Sequence, residues 1–246
     1  MPTTITDLPV DRDTVTRAPG VTEVLRALQF GDSMFPVGGF SFSNGVESAL
    51  AEEVVHDADT LTAWVRASVR NAAAGDGIAL LHAHRGAARG DLDHVETCDR
   101  AVYVRKLNEE TRAMTQRTGR KLAEAAARIV PGPVTGEWLD RVTAQRTPGT
   151  HPATLGVLGA VLGLPETDVF AMQQYSLAAT MVSAAVRLLP LHHLAAQQVL
   201  YEVNGQCGAD YATVARCELA DMSGFAPQID VLASVHVRAH VRMFMN

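Results

Sequence analysis

The chain has 246 residues, of which 47% are hydrophobic and 20% charged, and its formal net charge at pH 7 is −6. This composition excludes an intrinsically disordered chain, and it disfavours a broad nucleic-acid-binding surface, which needs clustered lysine and arginine. Almost all of the positive charge is arginine, since Lys106 and Lys121 are the only lysines. The length is enough for one large domain or two small ones, and nothing in the sequence divides the chain cleanly.

The first residues, MPTTITDLPVDRDTV, do not contain a basic segment followed by an apolar one. The sequence therefore predicts no secretory signal, and we expect a flexible segment over residues 1–20 ahead of a helical domain over residues 21–246. No apolar stretch predicts a membrane span. Cys98, Cys207 and Cys217 lack CxxC spacing, which argues against a disulfide framework or a zinc site. We expect a cytoplasmic protein whose partners include neither a membrane nor nucleic acid.

Hydrophobic residues recur at helical spacing along almost the whole chain, and strand-like alternation is scarce. The sequence therefore predicts an all-α fold, a single compact multi-helix domain. The first apolar stripe, from Val21 to Leu28, stops at Gly31, and a second one restarts at Val46. A loop joins these two predicted helices.

The loop is rich in both glycine and aromatic residues. Pro36 favours an extended conformation before it, and the Gly38-Gly39 pair permits backbone angles that residues with side chains avoid. Ser43 or Asn44 is predicted to cap the next helix. Four large apolar side chains lie in this short loop: Met34, Phe35, Phe40 and Phe42. Since exposed loops seldom carry so much apolar surface, we expect them to pack on the chain's own core or, alternatively, on another chain.

The loop matches no common catalytic motif. Its glycines are not followed by the Gly-Lys-Ser/Thr of a phosphate-binding P-loop, and neither Ser41 nor Ser43 lies in the G-x-S-x-G setting of a hydrolase nucleophile. The sequence gives no reason to place an enzyme's active site here.

Further helices are predicted along the middle of the chain. Asp59 or Thr60 is predicted to cap one helix and Asp76 a shorter one. A long helical segment then runs from Gly90 towards Val130, and its polar middle, residues 108–120, is typical of a solvated face or an intersubunit surface. A short helical turn is expected around Trp138.

The second half contains the predicted core helix. In HPATLGVLGAVLGLP, small residues such as Gly156 and Gly159 allow another helix to approach closely. The following stripe, from Phe170 to Leu188, predicts the central core helix. A helix over residues 191–203 and a less regular region up to Gly224 come next, and Pro227 permits a last helix through Phe244.

Histidine pairs give a rival interpretation, a helical metalloenzyme or metal carrier. The pairs are His82 with His84, His192 with His193, and His236 with His240. Only His236 and His240 have the i, i+4 spacing that places two ligands on one helical face. Since no Glu-x-x-His or His-Glu-x-x-His motif accompanies them, we favour structural roles for these side chains.

The pattern of the C-terminal residues is typical of a binding surface. Val237, Val241 and Phe244 share one helical face, and Arg238 and Arg242 lie on a neighbouring face. Such a stripe predicts either a partner contact or docking on the chain's own core.

Residues Asp32 to Glu47 have the pattern D-S-x-x-P-x-G-G-F-x-x-S-x-G-x-E. This pattern resembles the signature of the UreF family of urease accessory proteins. The resemblance extends through Glu110-Thr-Arg112 and Gly119, through HPATLGVLGAVLGLP and YSLAATMVSAAVRLLPL, and to APQIDVLASVHVRAHVRMF. Val46 stands where the family usually has leucine, and the closing pattern is followed only loosely.

The resemblance implies an all-helical, non-catalytic scaffold that is needed to activate urease. Such proteins dimerise, bind the accessory protein UreD, also called UreH, and recruit the GTPase UreG, which carries nickel to apo-urease. It leaves open whether they gate nucleotide hydrolysis by UreG or form part of a nickel tunnel.

The resemblance implies no cofactor and no catalytic or metal-ligating residue in this chain. The alternative is a nickel-binding carrier or metalloenzyme that uses His236 and His240. Together with the surface patterns, the resemblance predicts these partner-binding residues: Phe35, Pro36, Gly38, Gly39, Phe40, Ser43, Gly45, Glu47, Arg238, Arg242 and Phe244.

Overall fold

The computed structural model describes residues 20–32 and 34–224 together with Leu232, Met243 and Phe244, and for Phe40 it describes the backbone only. Within these residues the regular structure is helical and includes no strand, which confirms the all-α prediction. The predicted segment over residues 1–20 and the predicted last helix lie almost wholly outside the described residues.

Eleven α-helices follow one another in the described part of the chain. The first six are α1 (Val21–Gly31), α2 (Val46–Ala51), α3 (Ala58–Ala72), α4 (Ile78–Ala88), α5 (Leu92–Arg105) and α6 (Glu109–Ile129). The others are α7 (Pro133–Thr143), α8 (His151–Val161), α9 (Glu166–Leu188), α10 (His193–Asn204) and α11 (Cys207–Val214). Short 3-10 turns lie at Gly39–Ser41 and Leu219–Asp221, and a π-helical turn at Ala73–Gly77 joins α3 to α4.

Helix α9 connects two parts of the hydrophobic core, as its predicted central position requires. Its first half packs Phe170 into a buried cluster with residues of α4, α6 and α8. Its second half packs Met181 into another cluster with residues of α2, α3 and α10. A third cluster, around Trp138 and Cys98, joins α4, α5, α6, α7 and α8.

Helix α8 packs closely against its neighbours, as its small residues predict. A Cβ atom on Gly156 would lie 2.7 Å from the carbonyl oxygen of Leu80, and one on Gly159 would lie 2.9 Å from a methyl carbon of Val169. These contacts hold α8 against α4 and α9, and residues Pro152 through Gly159 are all buried. The glycines therefore allow a helix with no exposed face over that stretch.

The long helix predicted from Gly90 to Val130 is two helices. The chain is extended at Asn108, whose side-chain oxygen accepts a 2.7 Å hydrogen bond from the backbone N–H of Glu110 and so caps α6. The polar middle of α6 is also not simply solvated, because Thr115, Thr118 and Gly119 are buried. Polar side chains alone did not reveal this packed face.

Two helix caps predicted after the loop are wrong. Asp57, and not Asp59 or Thr60, caps α3 by accepting a 2.8 Å hydrogen bond from the N–H of Thr60. Asp76 caps no helix, since the chain remains helical through the π-helical turn and continues into α4. Its carboxylate is instead bound by Lys106.

Two further elements differ from the predictions. The expected short turn around Trp138 is the full helix α7, and the region expected to be irregular before Gly224 contains α11. The apolar stripe of α1 is exposed, with Val21 at 80% and Leu28 at 65% of full exposure. Among the described residues, no helix combines the length and apolar character needed to cross a bilayer.

Candidate functional site

The loop between α1 and α2 contains two glycines in the left-handed conformation. Gly38 has φ 82° and Gly45 has φ 83°, values that L side chains rarely adopt. Gly39 does not share this conformation, because it begins the 3-10 turn and has no positive φ. The expectation of special glycine geometry is therefore confirmed for Gly38 and wrong for Gly39.

The apolar side chains of the loop fold back on the chain's own core. Phe42 is buried, and the ring of Phe35 packs 5.0 Å from the ring of Phe30, measured between centroids. Met34 and Pro36 are exposed. Self-packing of the loop is thus confirmed for Phe35 and Phe42, while the side chain of Phe40 lies outside the described residues.

The loop leads into α2 through a buried serine. Ser43 is fully buried, and its hydroxyl oxygen accepts a 3.4 Å hydrogen bond from the N–H of Glu47. Gly45 occupies the N-cap position that was predicted for Ser43 or Asn44. A Cβ atom at Gly45 would lie 3.6 Å from the indole of Trp64, so this residue also packs closely on α3.

Glu47 connects this loop with the C-terminal residues. Its carboxylate accepts hydrogen bonds from the backbone N–H groups of Met243, at 2.7 Å, and Phe244, at 3.1 Å. Phe244 is buried, and the guanidinium of Arg187 lies 4.7 Å from the centre of its ring. Two segments predicted to bind partners therefore meet, and we call this contact the loop–tail junction.

Phe244 thus lies against its own chain instead of standing on an open helical face. The other predicted tail residues, Arg238 and Arg242, lie outside the described residues, as do His236 and His240. Their predicted roles stay predictions.

Two cavities lie beside the loop and share a wall. Asn44, Asp76 and Lys106 line both of them. Lys106 donates a 2.7 Å hydrogen bond to Asp76, and the side chains of this ion pair are three-quarters or more buried. The pair ties the break between α5 and α6 to the π-helical turn, so it fixes the wall between the cavities.

The first cavity is also lined by a partly buried imidazole and an unsatisfied amide. Burial lowers the pKa of His151 to about 4, although the charge of Asp76 opposes this shift, so the imidazole is neutral at neutral pH. The side-chain oxygen of Gln173 has no hydrogen-bond partner among the described residues. These groups can bind water or a small polar solute.

Sequence reasoning did not predict Asp76, Lys106 or His151 as parts of one site. They come from the π-helical turn, the break between α5 and α6, and the start of α8, and no short motif connects them. Within the described residues, no three His, Cys, Asp or Glu side chains are grouped so as to hold a metal ion.

The described histidine pairs make structural hydrogen bonds. An imidazole nitrogen of His82 lies 3.0 Å from the carbonyl oxygen of Cys217, and one of His84 lies 2.9 Å from that of Leu164. His192 caps α10 by accepting a 3.2 Å hydrogen bond from the N–H of Leu194. The contacts of His82 and His84 join segments distant in the sequence, whereas that of His192 is local to the start of α10.

The described residues form an all-α domain in which the end of the glycine-rich loop is hydrogen-bonded to C-terminal residues. Known sequences show which helical proteins share this chain's sequence. Residues 55–204 match the UreF family model. The chain is 47% identical over 223 residues to urease accessory protein UreF 2 of Brucella canis, covering 91% of this chain and 92% of the relative. It is 42% identical over 227 residues to urease accessory protein UreF of Yersinia pseudotuberculosis serotype IB, covering 92% and 99%.

The chain belongs to the UreF family of urease accessory proteins. The resemblance read from the sequence motifs is therefore confirmed. Membership supports an accessory role in urease maturation for this chain, and accessory proteins of this family are distinct from the urease enzyme itself.

Proposed function

We propose that this chain is a non-catalytic scaffold that binds UreD, also called UreH, and through that complex recruits the GTPase UreG for nickel insertion into apo-urease. The observation that carries the proposal is the similarity over about nine tenths of both chains to proteins named as urease accessory proteins. The proposal includes a cytoplasmic location and a homodimer.

We propose that UreD contacts this chain at the loop–tail junction. Gly38 and Gly45 set the course of the loop, and Glu47 ties the start of α2 to Met243 and Phe244. A partner that contacts the C-terminal residues would therefore also contact or restrain the loop. We propose that Arg238 and Arg242, close by in sequence, belong to the same surface.

Capture of UreD by the purified chain tests the proposal. Glu47→Gln retains the size of the side chain but removes the charge that strengthens its bonds to two backbone N–H groups. We expect this variant to capture UreD, and with it UreG, at least about tenfold less tightly, since charge-assisted hydrogen bonds contribute roughly 1.5–3 kcal/mol and about 1.4 kcal/mol is a factor of ten. Glu52→Gln, an exposed change just after α2, is the matched control.

The outcomes separate the parts of the proposal. Failure of the unchanged chain to capture UreD would overturn the scaffold function. Normal capture by Glu47→Gln would show that the junction is not the contact surface. GTP or urea turnover that persists through stringent purification of the chain alone would contradict its non-catalytic character.

A further inference from the structure

A groove lined by four arginines lies between α5, α6 and the segment that follows α7. Arg100, Arg117, Arg120 and Arg146 line it together with the carboxamides of Gln116 and Gln145. In the described part of the chain, no acidic side chain lines this groove. We call it the arginine groove. The chain as a whole has a net charge of −6, so this group of arginines differs in sign from the overall charge.

The acidic groups that pair with Arg100, Arg120 and Arg146 are not among the lining residues of the groove. Glu96 lies 3.2 Å from Arg100 and 3.2 Å from Arg146, and it also pairs with Arg141 at 3.0 Å. Asp93 also lies 2.6 Å from Arg141 and 4.0 Å from Arg146, and Glu137 lies 2.6 Å from Arg141, so three carboxylates surround this cluster of three guanidinium groups. Because the side chains of Arg100 and Arg146 are 57% and 58% exposed, they remain accessible to a further carboxylate.

Arg120 completes the groove on the α6 side. Its pair with Glu124 spans one helical turn at 3.2 Å, and both side chains are about half exposed, at 54% and 52%. Exposed ion pairs of this kind are weak and exchange readily. An incoming carboxylate can therefore replace Glu124 with little loss.

The segment that carries Arg146 is rigidly held by a buried carboxylate. Asp99 is fully buried and accepts hydrogen bonds of 2.5 to 2.6 Å from Thr147, Gly149 and Thr150, two of them from backbone N–H groups. Arg100 also donates to the carbonyl oxygen of Arg146. The groove is therefore ordered before any ligand binds, which reduces the entropy lost on binding.

Apolar surface extends the groove along α5. Tyr103 and Val104 line it, and Val104 is 66% exposed. Arginine and tyrosine are enriched at protein interfaces, where they combine polar bonding with contact area. The mixture of guanidinium groups and apolar surface suits a polypeptide better than a bare phosphate.

We propose that the arginine groove binds an acidic segment of a partner protein, a stretch with several Asp or Glu side chains. The arginines come from three elements and are distributed along the groove, so they match separate carboxylates better than one convergent anion. A long polyanion such as nucleic acid would also meet the negative charge of the rest of the chain. This inference rests on the proposed function, since a scaffold in an assembly needs such surfaces.

Binding of synthetic peptides to the full chain tests the groove. The probe is a fluorescently labelled peptide in which glutamate alternates with glycine, and the same peptide with glutamine is its control. We expect the glutamate peptide alone to bind, and binding to weaken as salt is raised from about 0.05 to 0.5 M, because exposed charges are screened.

Charge-removing variants locate the site. The double variant Arg117→Gln, Arg120→Gln should weaken binding about tenfold, equivalent to roughly 1.4 kcal/mol. The matched double variant Arg89→Gln, Arg128→Gln removes the same charge at exposed positions outside the groove and should bind like the unchanged chain. Since the substituted arginines are all exposed, melting temperatures should confirm that both variants fold.

Three outcomes would overturn the inference. These are no binding of the glutamate peptide, equal weakening by the two double variants, and tighter groove-dependent binding of a single-stranded oligonucleotide than of the peptide. The measurement uses neither UreD nor urease. Failure of peptide binding would therefore remove the groove proposal alone, whereas failure of UreD capture would remove the scaffold function and leave the peptide result unchanged.

Discussion

Two acidic side chains, Glu47 and Asp99, each hold a distant backbone segment in place. Glu47 binds the N–H groups of Met243 and Phe244, and Asp99 binds those of Gly149 and Thr150. Burial raises the pKa of Asp99, while its hydrogen bonds act in the opposite direction. Bonds from N–H groups to a carboxylate are stronger than those between neutral groups, so single residues can fix whole loops.

The neighbouring glycines of the loop give a prediction at the same scale. Gly38→Ala should lower the free energy of unfolding by about 1–2 kcal/mol, because a side chain disfavours its left-handed φ of 82°. Gly39→Ala should change it by less than about 0.5 kcal/mol, since φ is not positive and a Cβ atom there meets nothing within 4 Å. Urea unfolding measures both, and equal losses would contradict the assignment of the strained position.

At the scale of elements, α6 shows how a polar helix can be a packed one. Its buried face consists of threonines and Gly119 in the middle and of Leu122, Ala123 and Ala126 further on. Gly119 allows the backbone of residues 149–151 to lie directly against the helix. This contact supports one side of the arginine groove, because the same segment is bound by Asp99.

Alanine substitutions at two glycines, one in α6 and one in α7, test how closely α6 packs on residues 149–151. Gly119→Ala would place a Cβ atom 2.5 Å from the backbone nitrogen of His151 and closer still to Gly149, so we expect a loss of about 3 kcal/mol, the upper range for overpacking. Gly136→Ala in α7 meets nothing within 4 Å and should raise stability by about 0.5–1 kcal/mol through helix propensity. Thermal or urea unfolding compares them, and a tolerated Gly119→Ala would show that the two segments can separate.

At the scale of the whole molecule, one ion pair joins three helices. Arg85 of α4 binds both carboxylate oxygens of Glu166 at the start of α9, at 2.6 and 2.8 Å. Tyr211 of α11 donates a third hydrogen bond of 2.9 Å to the same carboxylate. Arg85 also donates to the carbonyl oxygen of Ala215, so the end of α11 is tied to the core through this pair.

This cluster predicts a pH dependence of stability. Burial alone would raise the pKa of Glu166, but the hydrogen bonds from Arg85 and Tyr211 outweigh it and lower the pKa below its ordinary value of 4.5. A lowered pKa in the folded state means that the stabilisation is present above that ordinary value and is lost as the pH falls through the folded-state pKa. Glu166→Gln should therefore lower the free energy of unfolding by about 1–3 kcal/mol at pH 7, and the deficit should shrink on acidification.

The measurement is urea unfolding of both chains between neutral and acid pH. Glu124→Gln, which alters the exposed pair with Arg120, is the control and should have a smaller effect. A deficit that stayed constant down to acid pH would show that the charge of Glu166 does not contribute.

The sequence by itself determined the class of the fold, the family and much of the helix pattern. Periodic apolar residues identify helices such as α8 and α9 because each must bury one face, or all faces, in the core. Motif order identifies the family because it depends on the chain alone. The glycine-rich loop is also recognisable from the sequence. The sequence does not show that φ is positive at Gly38 and not at Gly39, because the backbone angles depend on how the loop closes.

Only the tertiary structure decided which distant residues meet. Glu47 with Phe244, Asp76 with Lys106, and Asp99 with Thr150 are each separated by many residues, and no local pattern links the members of a pair. The break at Asn108 and the buried polar face of α6 likewise follow from packing against other helices. Local sequence sets which faces are apolar, but hydrogen bonds and charges between segments form only once those faces have come together.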